Sequence, residues 1–274
     1  IMKRGSGMGS VKIGFIGAGN MAGAIIRGMV AGGFRGSDIV AYDTDSAKLI
    51  RLFEDCGICM TTSAAETAEQ VDALVLAVKP QVLPSVLPAL SPVLHRCGTL
   101  VISIAAGKSL AWLEEMLGAG LPVVRVMPNI AAKVGESMSA FCGNAQAAES
   151  HKGIVRQIFE AVGEVVELEE RLFSAFSALA GCSPAFTLLY IDALAEAGVR
   201  YGLPKGTALK IASQAVLGTT RLLQETGEHP RALIDQVCSP AGTTIEGVCA
   251  LQSGGFEAAV LAAAAASYEK DKAL

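Results

Sequence analysis

Gly17, Gly19 and Ala22 stand in the spacing G-x-G-x-x-A, directly after the run Val11–Ile16 and directly before a helical pattern that reaches Met29. A strand that turns through two glycines into a helix is suited to hold a pyrophosphate. The first glycine allows the tight turn, the second lets phosphates approach the backbone, and the small third residue permits close helix–strand packing. Free N–H groups and the positive dipole end at the start of the helix favour the negative charge. A carboxylate, Asp43, follows the next β-run, Ile39–Tyr42. There it can accept from an adenosine ribose 2′-OH and would repel a 2′-phosphate, which slightly favours NADH over NADPH. Asp45 adds to the repulsion and Lys48 is near. The competing reading makes Asp43 the cap of a helix beginning near Ser46.

A second cluster is Asp235-Gln236-Val237-Cys238-Ser239-Pro240-Ala241-Gly242-Thr243-Thr244-Ile245-Glu246-Gly247. Its pattern predicts a helix that begins inside it, with Ser239 as cap and Pro240 in the first turn. The N–H groups of Gly242, Thr243 and Thr244 would then point outward at the positive dipole end, a carboxylate site that needs no arginine. Ordinary helix capping is the plainer reading of the same residues. Cys56-Gly57-Ile58-Cys59 has C-x-x-C spacing but falls between a helix end and a strand, so structural thiols are expected. No second Cys/His pair stands at zinc spacing, and no metal is expected. His95, His151 and His229 lack a nucleophile–base pattern and read as surface residues. Asp192 and Glu196 share a helix face; an interfacial or structural role fits better than an acid–base pair.

These residues need elements to position them. The runs Val11–Ile16, Ile39–Tyr42, Ala73–Val78, Thr99–Ile104 and Val123–Val126 alternate with helical stretches, which implies right-handed crossovers and a mostly parallel sheet. Ligands of such sheets sit beyond the carboxyl ends of the strands. At those ends stand Ala77-Val78-Lys79-Pro80-Gln81, Ser103-Ile104-Ala105-Ala106-Gly107 and Met127-Pro128-Asn129. None is catalytic by composition alone, and Asn129 suits a plain turn as well. The candidate cofactor contacts are therefore Gly17, Gly19, Asn20, Met21, Asp43, Ala77, Val78, Lys79, Pro80, Ala105 and Asn129. From Glu169 onward the β-runs stop, and helices are expected over Leu172–Leu179, Pro184–Tyr201, Lys205–Glu225, Thr243–Gln252 and Phe256–Asp271. Gly202-Leu203-Pro204 and Gly227-Glu228-His229-Pro230 break them. The expected architecture is α/β: a Rossmann dinucleotide-binding domain over residues 9–168, then an all-helical domain over 169–274.

Composition narrows the function classes. The chain has 274 residues, 51% hydrophobic, 18% charged and only 5% aromatic, which excludes a disordered chain and calls for a core of small aliphatic side chains. A net charge of −4 with no basic stripe argues against a nucleic-acid partner. Seven cysteines, an odd number, point to reduced thiols and a cytoplasmic location. The longest alanine-rich run, Ala258–Ala266, is too short for a membrane span. The surplus of apolar residues is expected to cover a subunit interface instead. Residues 1–8, ending Gly5-Ser6-Gly7-Met8, read as an addition to the native chain, and no apolar stretch makes them a signal peptide.

Taken together, these segments resemble the pyrroline-5-carboxylate reductase family. The residues that carry the resemblance are G-A-G-N-M-A at 17–22, A-V-K-P-Q at 77–81, S-I-A-A-G at 103–107 and M-P-N at 127–129. D-A-L-A-E-A-G at 192–198, G-L-P at 202–204, the segment 235–247 and S-G-G-F at 253–256 complete it. The resemblance implies reduction of 1-pyrroline-5-carboxylate to L-proline by NADPH or NADH, the last step of proline biosynthesis. It implies a substrate carboxylate held by Ser239, Gly242, Thr243 and Thr244. Thr244 is the candidate catalytic residue, its hydroxyl near the ring nitrogen. It also implies a homodimer at least, with a ring of dimers as the larger alternative, in which the helical half is a dimerisation domain and two subunits share each active site. Two departures stand out: members often carry glycine where this chain has Ala241, and commonly read Asn-Thr-Pro where it has Asn129-Ile130-Ala131. A β-hydroxyacid dehydrogenase is disfavoured because Gly181-Cys182-Ser183-Pro184-Ala185 lacks that family's lysine. A non-catalytic nucleotide sensor or scaffold is disfavoured by the intact Gly17, Gly19, Ser239 and Thr244.

Overall fold

The computed structural model describes residues 11–273, so the expected addition at residues 1–8 and the outermost ends of both expected domains lie outside the described residues. The described chain forms two compact units that divide between Gly181 and Cys182.

The first unit is built on one eight-stranded sheet. Its strands are β1 (Ile13–Ile16), β2 (Ile39–Tyr42), β3 (Cys59–Met60), β4 (Ala73–Leu76), β5 (Leu100–Ser103), β6 (Val123–Met127), β7 (Ser137–Gly143) and β8 (Gly163–Glu167). Their order is β3-β2-β1-β4-β5-β6-β7-β8, parallel throughout except for the β6–β7 pair. The five strands read from the sequence are all present. Three more escape a β-branched pattern: β3 has two residues, β7 is rich in serine and alanine, and β8 begins with glycine.

Helices α1 (Asn20–Ala31), α2 (Ser46–Cys56), α3 (Ala64–Glu69), α4 (Leu83–Cys97), α5 (Leu110–Leu117) and α6 (Glu149–Glu160) connect these strands. Alternation along the strands divides the core. Phe15, Val75, Val124 and Val126 pack with Ile25, Ile26 and Met29 of α1 and Phe159 of α6 on one face. Leu74, Leu76, Val101 and Val123 pack with Leu87, Leu90 and Leu94 of α4 on the other. Fully burying one such leucine or valine is worth about 1.5–3 kcal/mol, so both faces hold the strand ends firmly. Between β1 and β4 the strand order reverses, and that is where an open α/β sheet leaves a crevice.

After β8 the chain is helical. A 3-10 turn at Glu170–Leu172, α7 (Phe173–Phe176) and a π-helical stretch, Ser177–Cys182, lead into α8 (Ser183–Arg200). The run Glu170–Arg200 is long and apolar enough to cross a bilayer by length and composition, which corrects the expectation drawn from the alanine run alone.

The second unit adds α9 (Lys205–Thr226), α10 (Pro230–Val237), α11 (Thr243–Ser253) and α12 (Phe256–Lys272). Helix α10 was not expected. Pro230, read only as a breaker, occupies its first turn with His229 as its cap, the position where proline is tolerated. Among the described residues of this unit, the buried hydrophobics are Ala195, Ala208 and Ala212. Leu188 (66%), Leu189 (71%), Tyr201 (82%) and Leu261 (71%) stay exposed.

Helix α1 packs closely against the turn that joins α6 to β8. Gly28 makes this possible, because a Cβ there would meet Val162 Cγ1 at 2.2 Å and Ala161 O at 2.9 Å. Gly28→Val is expected to destabilise the chain by about 1–3 kcal/mol, read as a lower midpoint in chemical denaturation followed by circular dichroism.

Candidate active site

The turn from β1 into α1 has the geometry that a pyrophosphate requires. Gly17 has φ +100°, and a Cβ on it would lie 2.8 Å from Ala77 O, so no other residue fits. Gly19 is the N-cap of α1 and carries no side-chain cap. A Cβ added at Gly19 would meet nothing within 4 Å, which leaves open space over the N–H groups of the first helical turn. No acidic side chain competes there, and Ala22 is buried at 1% exposure, as close helix–strand packing demands. These residues fit a dinucleotide, with Asn20 and Met21 supplying N–H groups at the helix start.

Asp43 is placed at the end of β2, and it is not a helix cap. Asp45 caps α2 by accepting from the Ala47 N–H. The Asp43 carboxylate accepts from the Ala18 N–H at 2.7 Å and from the Asp45 N–H at 2.8 Å. Burial pushes its pKa up, but the two backbone N–H groups and Lys48 outweigh that and hold it below the usual carboxylate range. Lys48 Nζ lies 3.5 Å from both Asp43 Oδ1 and Asp45 Oδ2. Each Asp43 oxygen keeps a second lone pair with which to accept a ribose hydroxyl.

Two concavities adjoin this turn. A groove of about 750 Å³ runs along α1 and includes Gly19, Asn20, Arg27, Lys48, Arg51 and Lys133. A smaller pocket of about 270 Å³ lies at the carboxyl ends of the strands, formed by Met21 with residues 77–80, 104–106 and 125–128. The smaller one is the better candidate for chemistry, because it gathers Met21, Ala77, Val78, Lys79, Pro80 and Ala105 around the crevice.

Asn129 is spent differently. Its Oδ1 accepts from the Ala131 N–H at 3.2 Å and its Nδ2 donates to Ala180 O at 2.9 Å, so it caps the 3-10 turn Ile130–Val134 and ties down the π-helical stretch. The first bond exists because alanine, unlike the proline common at this place in the family, has an N–H to give. One residue of the pocket was missed altogether. Arg125 lines it from mid-strand, and its only signal was a single charge inside the run Val123–Val126.

The residues expected to hold a carboxylate lie together in the second unit, with two corrections. Ser239 and Pro240 are outside the helix: residues 239–242 form a turn closed by the Gly242 N–H donating to Ser239 O at 3.0 Å, and α11 starts at Thr243 with Gly242 as N-cap. Gly242 is therefore not a free donor. The outward N–H groups belong instead to Thr243, Thr244 and Ile245, none bonded among the described residues. Proline second and positive φ third is the pattern of a type II turn. The third residue is Ala241 at φ 55°, the one non-glycine with positive φ among the described residues, so alanine is strained where the family often has glycine.

The remaining candidates are structural. Lys205 Nζ donates to Asp192 Oδ1 at 2.7 Å and also to Glu196 Oε1, clamping the two acids between α8 and α9. Cys56 ends α2 and Cys59 begins β3, and all seven cysteines are free. His151 and His229 accept backbone N–H groups at helix starts, and His95 meets Leu117 O at 3.0 Å. No group of three or more metal-binding side chains is present among the described residues.

Comparison with known proteins places these features. Residues 170–274 match the family model described as pyrroline-5-carboxylate reductase dimerisation. Residues 12–107 match that of NADP oxidoreductase, coenzyme F420-dependent. A pyrroline-5-carboxylate reductase of Escherichia coli (strain K12) is 40% identical over 264 residues, covering 96% of this chain and 98% of that protein. The solved structure of a pyrroline-5-carboxylate reductase from Coxiella burnetii superposes with a TM-score of 0.93 at 33% identity, covering 96% and 98% of the two chains. That of a Plasmodium falciparum pyrroline carboxylate reductase with NADP bound gives 0.86 at 31% identity, covering 97% and 99%. The relatives cover nearly the whole of this chain, and the chain belongs to the pyrroline-5-carboxylate reductase family.

Proposed function

We infer that the chain reduces 1-pyrroline-5-carboxylate to L-proline with NADH or NADPH, the last step of proline biosynthesis. The observation that carries this reading is the 40% identity to a curated reductase along nearly the whole of both chains. The geometry supports it with an uncapped dinucleotide turn in one unit and an uncapped anion-binding helix start in the other. The exposed apolar side chains of the helical unit support a homo-oligomer, a dimer at least, and the free cysteines support a cytoplasmic location. We place the nucleotide-binding domain at residues 9–168 and the dimerisation and substrate domain at 169–274.

The substrate is a cyclic imine that bears a carboxylate. Protonated, its imine carbon is already electrophilic, so the protein's main task is positioning, which at its limit lowers the barrier by about 7–11 kcal/mol. Bound at the strand ends, the dihydronicotinamide supplies the hydride. The Gly17–Met21 turn holds the pyrophosphate, and the 77–80 and 104–106 loops enclose the redox end. In the second unit the N–H groups of Thr243, Thr244 and Ile245 bind the substrate carboxylate, with Ser239 beside them. The Thr244 hydroxyl orients the ring nitrogen or relays its proton. Asp43 accepts the ribose 2′-OH and favours NADH.

Initial rates of NADH and NADPH oxidation with pyrroline-5-carboxylate test the activity. Turnover favouring NADH is expected, and Asp43→Asn should lower the NADH/NADPH ratio of kcat/KM several-fold. An unchanged ratio would leave Asp43 only the task of holding the turn. Thr244→Ala is expected to lower kcat/KM by about tenfold or more while cofactor affinity holds; an unchanged value would remove Thr244 from the mechanism. Light scattering should give a dimer or larger, and a stable, active monomer would overturn the oligomer.

A further inference from the structure

Arg125 has no part in the reading above, yet it is the one buried charge in the strand-end pocket. It lies in the middle of an interior strand, paired in register with Ser103 of β5 and Cys142 of β7. It is 8% exposed. Its Nη1 donates to Glu170 Oε1 at 2.9 Å, and its Cζ lies 4.6 Å from the centre of the Phe173 ring. The same Glu170 oxygen accepts from the Leu110 N–H at 2.8 Å, at the first turn of α5, so the carboxylate is fixed from two sides. The guanidinium is thereby held in place by an ion pair and an aromatic face.

What the guanidinium lacks is acceptors. It carries five N–H donors, and among the described residues it makes one hydrogen bond. Its other nitrogens are not sealed off without partners; they keep access to solvent, and an occupant that displaces that solvent must supply acceptors in its place. Arg125 lines the 270 Å³ pocket, where every other lining side chain except the exposed Lys79 is apolar. The pocket therefore offers its occupant one concentrated source of hydrogen-bond donors.

Charge and position narrow the occupant's acceptor. The pyrophosphate belongs at the Gly17–Met21 turn, and Met21 also borders this pocket. On the proposed function, which this inference rests on, the pocket takes the nicotinamide end. The Arg125–Glu170 pair is close to neutral as a unit, so it does not recruit a carboxylate by net charge. Nor does it oppose the positive charge the ring carries after giving up its hydride. A neutral carbonyl acceptor suits it best. We propose that Arg125 is a cofactor-binding residue that donates to the carboxamide oxygen of the nicotinamide, with Glu170 and Phe173 holding its guanidinium in place.

The test compares ligands with and without that group. Dissociation constants are measured for NADH, for ADP-ribose, which lacks the nicotinamide, and for the thionicotinamide analogue of NADH, whose C=S is a weaker acceptor. Arg125→Met is expected to weaken NADH about tenfold or more, to leave ADP-ribose within about twofold, and to erase most of the wild-type preference for NADH over the thio analogue. Arg125→Lys should recover part of the NADH affinity, and it decides by the same ratios if the methionine variant does not fold. Parallel loss of NADH and ADP-ribose, or an undiminished preference for NADH over its analogue, overturns the inference. With wild-type turnover of pyrroline-5-carboxylate intact, that result leaves the reductase reading standing; absence of wild-type turnover with NADH and with NADPH overturns both.

Discussion

Three hydrogen bonds fasten the turn between β1 and α1 to the strands on either side, and the nucleotide end of the protein depends on them. The Gly17 N–H donates to Tyr42 O at 2.7 Å, the Ala18 N–H to the Asp43 carboxylate at 2.7 Å, and the Ala77 N–H to Ile16 O at 2.8 Å. Because β2 and β4 flank β1, the turn is gripped from both sides at the point where the strand order reverses. The grip keeps Gly17 at positive φ against the Ala77 carbonyl and leaves the first N–H groups of α1 facing open space. A ligand at that helix start meets donors that are already aimed, so little ordering is charged against its binding.

Much of this was legible in the residues themselves. The glycine spacing, the acid after β2 and the alternation of β-runs with helices all follow from local rules, and the structure places them accordingly. What stayed illegible depended on partners remote in sequence. The part Asp43 plays in holding Ala18 requires knowing that β1 and β2 are neighbours. Arg125 reads as an interruption of a strand until Glu170 and Phe173, far along the chain, fold against it. The apolar period puts the start of α11 at Thr243, where it lies, but Ser239 and Pro240 suit a helix start as well as a tight turn, and only the Gly242–Ser239 bond distinguishes the two. Strands β3, β7 and β8 were invisible for a different reason: β3 has two residues, β7 is made mostly of small side chains and β8 has only Val165 and Val166 between glutamates, and pairing with a neighbour makes them strands.

The two units solve the burial problem differently. The first covers both faces of its sheet with helices and buries phenylalanine, isoleucine and leucine within one chain. The second joins its helices by small-residue contacts, such as Gly198 against Ala208, and by the Lys205 clamp on Asp192 and Glu196. Its large apolar side chains are left outside, where they are available to another surface. An apolar run such as Glu170–Arg200, read alone, suggests lipid; within a family whose matching segment is a dimerisation region, protein is the fitting cover.

Ala241 makes the turn before α11 depend on a single hydrogen bond. A glycine at φ 55° would move between positive and negative φ at little cost, and the loop around it would drift through a continuum of shapes. Alanine has only a shallow well at positive φ, about 1–2 kcal/mol above the helical one. The Gly242–Ser239 bond holds the residue against that preference, so the turn and the bond stand or fall together. The backbone at Ala241 is thus tied to one hydrogen bond as a glycine's would not be.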